Sequence, residues 1–284
     1  FLNDALLYRI RYGRSYYRKL LYYGCNLCTN LNPYGCTYIG STFLCILLCF
    51  VSNILALLGP SLAGKAIDAA SAGAGKVDFQ KAMNESCNCA FAQIADQLGG
   101  ETLHKYAQQL GITESLTFDG ITTAPGNIQA AGEAPVMVAW SAIGQHKDQM
   151  NPCQFLTFMG VIASGGNGAQ PYIVSDITGG SWQTYSAQTT YTGRLISAET
   201  AQVLQQMMRA NVQNYYGDEH FAGLNVCAKS GTAEVGGDKK PNAMLTGFVT
   251  DNDYPLAFIV CVEEGGYGRS TCVPIASKVL VACK

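Results

Sequence analysis

Two apolar runs near the C-terminus set the strongest limit on the fold. Residues 243–249 and 256–262 are almost wholly hydrophobic and are bounded by Asn, Asp, Gly and Pro. They are too short for helices of ordinary length. The segment between them, Asp251-Asn252-Asp253-Tyr254-Pro255, is rich in turn formers. The pattern predicts two buried strands joined by a tight connection. A third apolar run, 224–228, leads into Lys229-Ser230-Gly231-Thr232. Helical spacing lies elsewhere. Over 197–213, Ala201, Leu204, Met207 and Met208 share one face, and Ser197 with Glu199 supplies a start signal. Over 86–98, Phe91, Ile94, Ala95 and Leu98 do the same. Strands at one end with helices elsewhere predict an α+β arrangement.

Lys229, Ser230, Gly231 and Thr232 at the edge of a strand suit a carboxylate. The ammonium brings charge, the hydroxyls bring directed hydrogen bonds, and the glycine lets a ligand approach the backbone. Ser86 and Asn88 stand upstream at i and i+2, opening the 86–98 helix. Two readings compete for them. They are helix caps, since both residue types cap helices, or they belong to a site with Lys229.

The pair Ser86-Cys87-Asn88 and Lys229-Ser230-Gly231 resembles the S-x-N and K-[ST]-G motifs of serine acyl-transferases that act on D-alanyl-D-alanine and on β-lactams. Further landmarks follow in order. They are Ser141-Ala142-Ile143-Gly144-Gln145 with Met150-Asn151-Pro152, then Gly165-Gly166-Asn167-Gly168 with Pro171, and the turn Glu264-Gly265-Gly266-Tyr267-Gly268. From about Gly75 onward the chain resembles the transpeptidase domain of a penicillin-binding protein. The resemblance implies a central antiparallel sheet with helices on both faces, as in the β-lactamase/transpeptidase-like folds. It implies acyl transfer through a serine ester, with peptidoglycan stem peptides and β-lactams as ligands and no cofactor or metal. In that scheme Ser41 is the nucleophile and Ser86 relays the proton. Asn88 holds the substrate amide, and Lys229 sets the field. Ser230 and Thr232 bind the terminal carboxylate, beside Gly231. The backbone N–H groups of Ser41 and Thr232 form the oxyanion hole. The family setting is the bacterial cell envelope, at the extracytoplasmic face of the plasma membrane, with a membrane-embedded cell-wall polymerase as a further partner.

The scheme also needs S-x-x-K, because a serine hydroxyl is a poor nucleophile without a base. A lysine one helical turn on would share its face. No serine of the chain has a lysine three residues later. Gly40-Ser41-Thr42-Phe43-Leu44 resembles the family's G-S-T-F-K with leucine at the lysine position, and Ser61 has Lys65 four residues on, after a Gly-Pro break. Residues 1–73 are therefore expected to form an atypical N-terminal segment ahead of a transpeptidase-like domain at 74–284. Half of the 16 tyrosines fall before residue 40, and no charge occurs between Lys19 and Lys65. Three readings stay open for this part: a buried helix started by Ser41, a membrane or signal-like segment after the basic cluster Arg9–Lys19, and a frame-shifted start joined to a true domain. The activity expected is impaired transpeptidation. The alternatives are a non-catalytic module that binds stem peptides or β-lactams, a serine β-lactamase, and a D,D-carboxypeptidase.

With 284 residues and a net charge of −2, the chain suits one large domain, and nothing in its charge points to nucleic acid. It begins at Phe1 rather than Met, so it is expected to be a fragment. The 12 cysteines lack the spacing of a small secreted scaffold. Cys25 and Cys28 form a lone C-x-x-C, and His104, His146 and His220 are isolated, so unpaired thiols are expected in place of a metal site.

Overall fold

The computed structural model describes residues 5–9, 67–69, 75–145, 147–179 and 182–284, with side chains from Val77 onward except those of residues 182–184. Ser41, Leu44, the apolar run 39–58, Cys25, Cys28 and His146 lie outside the described residues.

Four antiparallel strands make the main sheet among those residues. They are β1 (Ala5–Arg9), β2 (Val226–Ala233), β3 (Asn242–Val249) and β4 (Leu256–Val262), in the spatial order β1-β4-β3-β2. β3 and β4 match the two apolar runs predicted as strands. Register follows from the pleat: Lys229 faces Thr246, Ser230 faces Leu245, and Leu245 faces Val260 on the other side. β1 pairs with the outer side of β4, with Ala5 opposite Val260.

The sheet is buried on both faces, which explains why β3 and β4 read as continuous apolar runs rather than alternating ones. Cys227, Met244, Phe248, Ala257 and Ile259 join one apolar cluster. Ala228, Leu245, Phe258 and Val260 join another on the opposite face. The first face is covered by α1 (Phe79–Asn84), α2 (Asn88–Leu98), α3 (Gly100–Gln109), α4 (Pro135–Ala142), α5 (Pro152–Ala163) and α6 (Ala198–Asn211). The second is covered by α7 (Gly268–Ala282) and by residues 212–224. Phe79, Phe155, Phe248 and Phe258 are each no more than 1% exposed, and full burial of such a side chain contributes roughly 1.5–3 kcal/mol. This is the α+β arrangement expected, with helices on both faces. No helix among the described residues is long and apolar enough to cross a membrane.

Three local features place the site. The Phe79 and Phe91 rings meet at 5.8 Å and lock α1 to α2. Gln80 Nε2 donates to the Met207 carbonyl at 3.3 Å, tying α1 to α6. α6 starts where Ser197 accepts a hydrogen bond from Thr200 N, and Ala201, Leu204, Met207 and Met208 are buried as their spacing predicted. It then widens into a π-turn, Val212–Tyr216, before a short 3₁₀ turn, Asp218–Phe221. This stretch lays the end of α6 along the edge of β2 that pairs with no other strand among the described residues.

Candidate active site

The free edge of β2 is where the sequence motifs converge. Strand alternation sends the Lys229 side chain to the face of α2 and α6, and the Ser230 and Thr232 side chains to the face of α7. Lys229 is 1% exposed. Its ammonium donates to Ser86 Oγ, a contact spanning 143 residues, and to the Ser230 carbonyl at 3.1 Å. Burial pushes its pKa down from the ordinary lysine value to about 7. A lysine near neutrality hydrogen-bonded to a hydroxyl can give or take a proton through that hydroxyl.

Ser86 reaches Lys229 because of the turn that holds it. α1 ends in a Schellman motif. Cys87 N–H donates to the Ala82 carbonyl at 2.9 Å, and Ser86 N–H donates to the Met83 carbonyl at 3.2 Å. Ser86 takes the left-handed position, with φ of 51°, where glycine is usual. The N-cap of α2 is Cys87, which makes no side-chain capping bond. The capping reading of Ser86 and Asn88 therefore does not hold: Ser86 belongs to the end of α1, and Asn88 opens α2 with an exposed side chain.

On the other face, Tyr216 and Asn211 build a second network. Ser230 N–H donates to Tyr216 Oη at 2.6 Å, Asn211 Nδ2 donates to the same oxygen at 2.9 Å, and Tyr216 Oη donates to Ser230 Oγ at 3.0 Å. Asn211 Nδ2 also donates to the Ala228 carbonyl at 3.0 Å. Burial raises the Tyr216 pKa, partly opposed by its hydrogen bonds to Ser230 and Asn211. One strand step further, Gly268 N–H donates to Thr232 Oγ1 at 3.1 Å. α7 comes this close because residue 268 has no side chain: a Cβ there would stand 2.0 Å from the Gly231 carbonyl oxygen. Upstream, Arg209 holds Asp218 through two hydrogen bonds, of 2.7 and 2.5 Å, and donates to the Val226 carbonyl at 3.2 Å.

The fold thus brings Ser86, Lys229, Ser230, Gly231 and Thr232 together, with Asn88 two residues from Ser86 on the same turn. Ser41 lies outside the described residues. Tyr216 and Asn211 were not singled out from the sequence. Asn211 left a trace there, since it extends the apolar stripe of α6 where a hydrophobic residue would be expected. Tyr216 left none. Cys87, Cys89, Cys227 and Cys272 are free thiols, and burial pushes Cys227 and Cys272 up to about 12, so neither is a nucleophile.

Comparison with known proteins gives the family and the fold. The family model described as the penicillin binding protein transpeptidase domain matches residues 57–281. Peptidoglycan D,D-transpeptidase PbpA of Mycolicibacterium smegmatis is 29% identical over 215 residues, covering 72% of this chain and 44% of that protein. The chain therefore spans less than half the length of this curated relative. Among solved structures, penicillin-binding protein A from M. tuberculosis as a penicillin G acyl-enzyme complex superposes with a TM-score of 0.75 at 21% identity, covering 87% of this chain and 62% of that one. The D,D-transpeptidase domain of a peptidoglycan glycosyltransferase from Eggerthella lenta gives a TM-score of 0.74 at 19% identity, covering 89% and 69%. At those identities the likeness to solved structures is one of fold.

Proposed function

The chain belongs to the penicillin-binding protein transpeptidase domain family, and on that premise we propose that it carries the site for serine acyl transfer on D-alanyl-D-alanine stem peptides, in a form impaired at the nucleophile. The observation that carries this reading is the hydrogen bond from Lys229 to Ser86 across 143 residues. It joins the two motifs that the reaction needs, through a lysine whose pKa of about 7 suits proton transfer.

A stem peptide would lie along the β2 edge, its terminal carboxylate at Ser230 and Thr232 and its amide held by Asn88. The Ser41 oxygen attacks the penultimate D-alanine carbonyl, with the oxyanion at the backbone N–H groups of Ser41 and Thr232. Ser86, polarised by Lys229, passes the hydroxyl proton to the departing D-alanine amine. An amine from a neighbouring stem then takes the acyl group. Leu44 stands where the base would be, and loss of a general base typically costs about 10²–10⁴ in rate. The same leucine favours a second reading, a module that binds stem peptides or β-lactams without turning them over. Residues 1–73 serve as an atypical lead segment, which adds β1 to the sheet, and residues 74–284 as the working domain. The setting is the bacterial cell envelope on the extracytoplasmic side, and a membrane-embedded polymerase is the further partner.

Labelled penicillin with intact mass and peptide mapping tests the proposal. A stoichiometric adduct on Ser41 supports an assembled site. No adduct, with Leu44→Lys restoring one, supports an intact site with a disabled nucleophile. No adduct in either form would overturn the role of Ser41. Rapid penicillin turnover would identify a β-lactamase instead.

A further inference from the structure

A hydroxyl can present a hydrogen or a lone pair, and only the hydrogen attracts a carboxylate. Which one Ser230 presents is decided by counting the hydrogen bonds at Tyr216. The phenol oxygen has two acceptor positions and one hydrogen. Ser230 N–H at 2.6 Å and Asn211 Nδ2 at 2.9 Å occupy both acceptor positions. The one hydrogen left goes to Ser230 Oγ, at 3.0 Å. Ser230 Oγ is thereby an acceptor toward Tyr216, and the hydrogen of this half-buried hydroxyl is left for a partner other than Tyr216.

The direction of this chain is set by Asn211. Its amide also faces the Ala228 carbonyl at 3.0 Å, and a carbonyl accepts only from the NH₂ end. The NH₂ end is thus held between Ala228 and Tyr216, and the amide cannot turn over. Asn211 is fully buried, and its Oδ1 finds no partner among the described residues. A residue chosen for packing alone would be apolar here. Thr232 obeys the same logic, since its oxygen accepts from Gly268 N–H at 3.1 Å. The two hydroxyls on this side of the strand each have their oxygen engaged by a fixed donor.

We infer that Tyr216 is a positioning residue that holds the Ser230 hydroxyl as a donor, so that the site selects a terminal carboxylate over an uncharged terminus. The inference rests on the proposed reading of β2 as the carboxylate-binding edge. Tyr216 acts through Ser230 and need not touch the ligand.

The test is NMR titration of the full chain with diacetyl-L-lysyl-D-alanyl-D-alanine and with its C-terminal amide, in wild type, Tyr216→Phe and Asn211→Leu. Binding in this experiment does not need the nucleophile. Wild type should favour the carboxylate over the amide. Tyr216→Phe should reduce that preference by about tenfold, the scale of one lost charge-assisted hydrogen bond, with amide affinity changed less than about twofold. Asn211→Leu leaves the phenol in place, frees one of its acceptor positions and removes the buried orphan oxygen. It should lower the preference in the same direction, and although the Ala228 carbonyl loses its donor, the orphan oxygen goes with it, so this variant carries the test if Tyr216→Phe does not fold. Equal loss for both ligands would reduce Tyr216 to a structural role, and an unchanged preference in both variants would overturn the inference while leaving the family reading intact. A wild type that binds neither ligand would overturn the proposed function, and this inference with it.

Discussion

Lys229 and Ser230 are neighbours in sequence and stand on opposite faces of β2. Lys229 is a desolvated cation whose partner lies 143 residues away. Its value is chemical, and burial makes its charged form costly to the fold. Ser230 sits in a neutral network whose members, Asn211, Tyr216 and Ala228, all lie within twenty residues of it. Its hydrogen bonds come with the α6-to-β2 connection itself. One strand edge therefore combines a proton-handling face held by long-range packing with an anion-recognising face held locally. The first should be the more sensitive to pH and to changes elsewhere in the chain.

The largest break should come from Lys229→Met. The rate of acylation by a β-lactam, where acylation occurs, should fall by at least about a hundredfold, read by intact mass. Stability should move the other way. The folded pKa is about 7 and the unfolded value is about 10.4. Below pH 7 both states hold the proton and the cost of burying charge is complete. Between about 7 and 10.4 only the unfolded state holds it, so wild-type stability rises with pH through that window. The melting-temperature advantage of Lys229→Met should be greatest below pH 7 and fade toward pH 10. A constant offset at all pH values would mean that the buried charge is not the cause.

Gly268→Ala should be next, destabilising by about 1–3 kcal/mol. A Cβ meets the Gly231 carbonyl oxygen and must push α7 from the strand, which also removes the donor to Thr232. Chemical denaturation measures the loss. Ser86 sharpens the other half of the comparison. Ser86→Gly relieves a left-handed serine, whereas Ser86→Ala keeps the strain, so glycine should be the more stable of the two by about 1 kcal/mol. Both should lose the proton path equally. The smallest effect expected is Arg209→Met, roughly 0.5 kcal/mol, because Asp218 is 43% exposed and its pairing with Arg209 is partly screened. Thermal denaturation at low and high salt separates the ion pair from the Val226 hydrogen bond.

The strands of the sheet were legible because burial on both faces writes itself as unbroken apolar runs. The apolar run 256–262 is β4. The start of α6 was legible because Ser197 caps it in the way its neighbours signal. The end was less so: the helix expected to 213 gives way at Val212 to a π-turn, which no local residue announces. Ser86 was recognisable only through Lys229. Its place at the end of α1 is one where glycine is the usual residue, so the serine read more naturally as a cap of the next helix. Tyr216 was invisible for a different reason. Its partners are backbone and side-chain groups of a strand edge, and which edge lies beside a π-turn is a fact of packing.

The side chains along β2 also settle how the molecule keeps its sheet to itself. An exposed edge strand invites pairing with any extended chain, including another copy. Here the outward groups are taken in turn: the Val226 carbonyl by Arg209, the Ala228 carbonyl by Asn211, the Ser230 N–H by Tyr216 and the Ser230 carbonyl by Lys229. Strand alternation leaves the next outward position at Thr232. The edge is guarded along its first half and welcoming only at its end, so an incoming peptide has one place to begin pairing and an unwanted strand has no long run to grip.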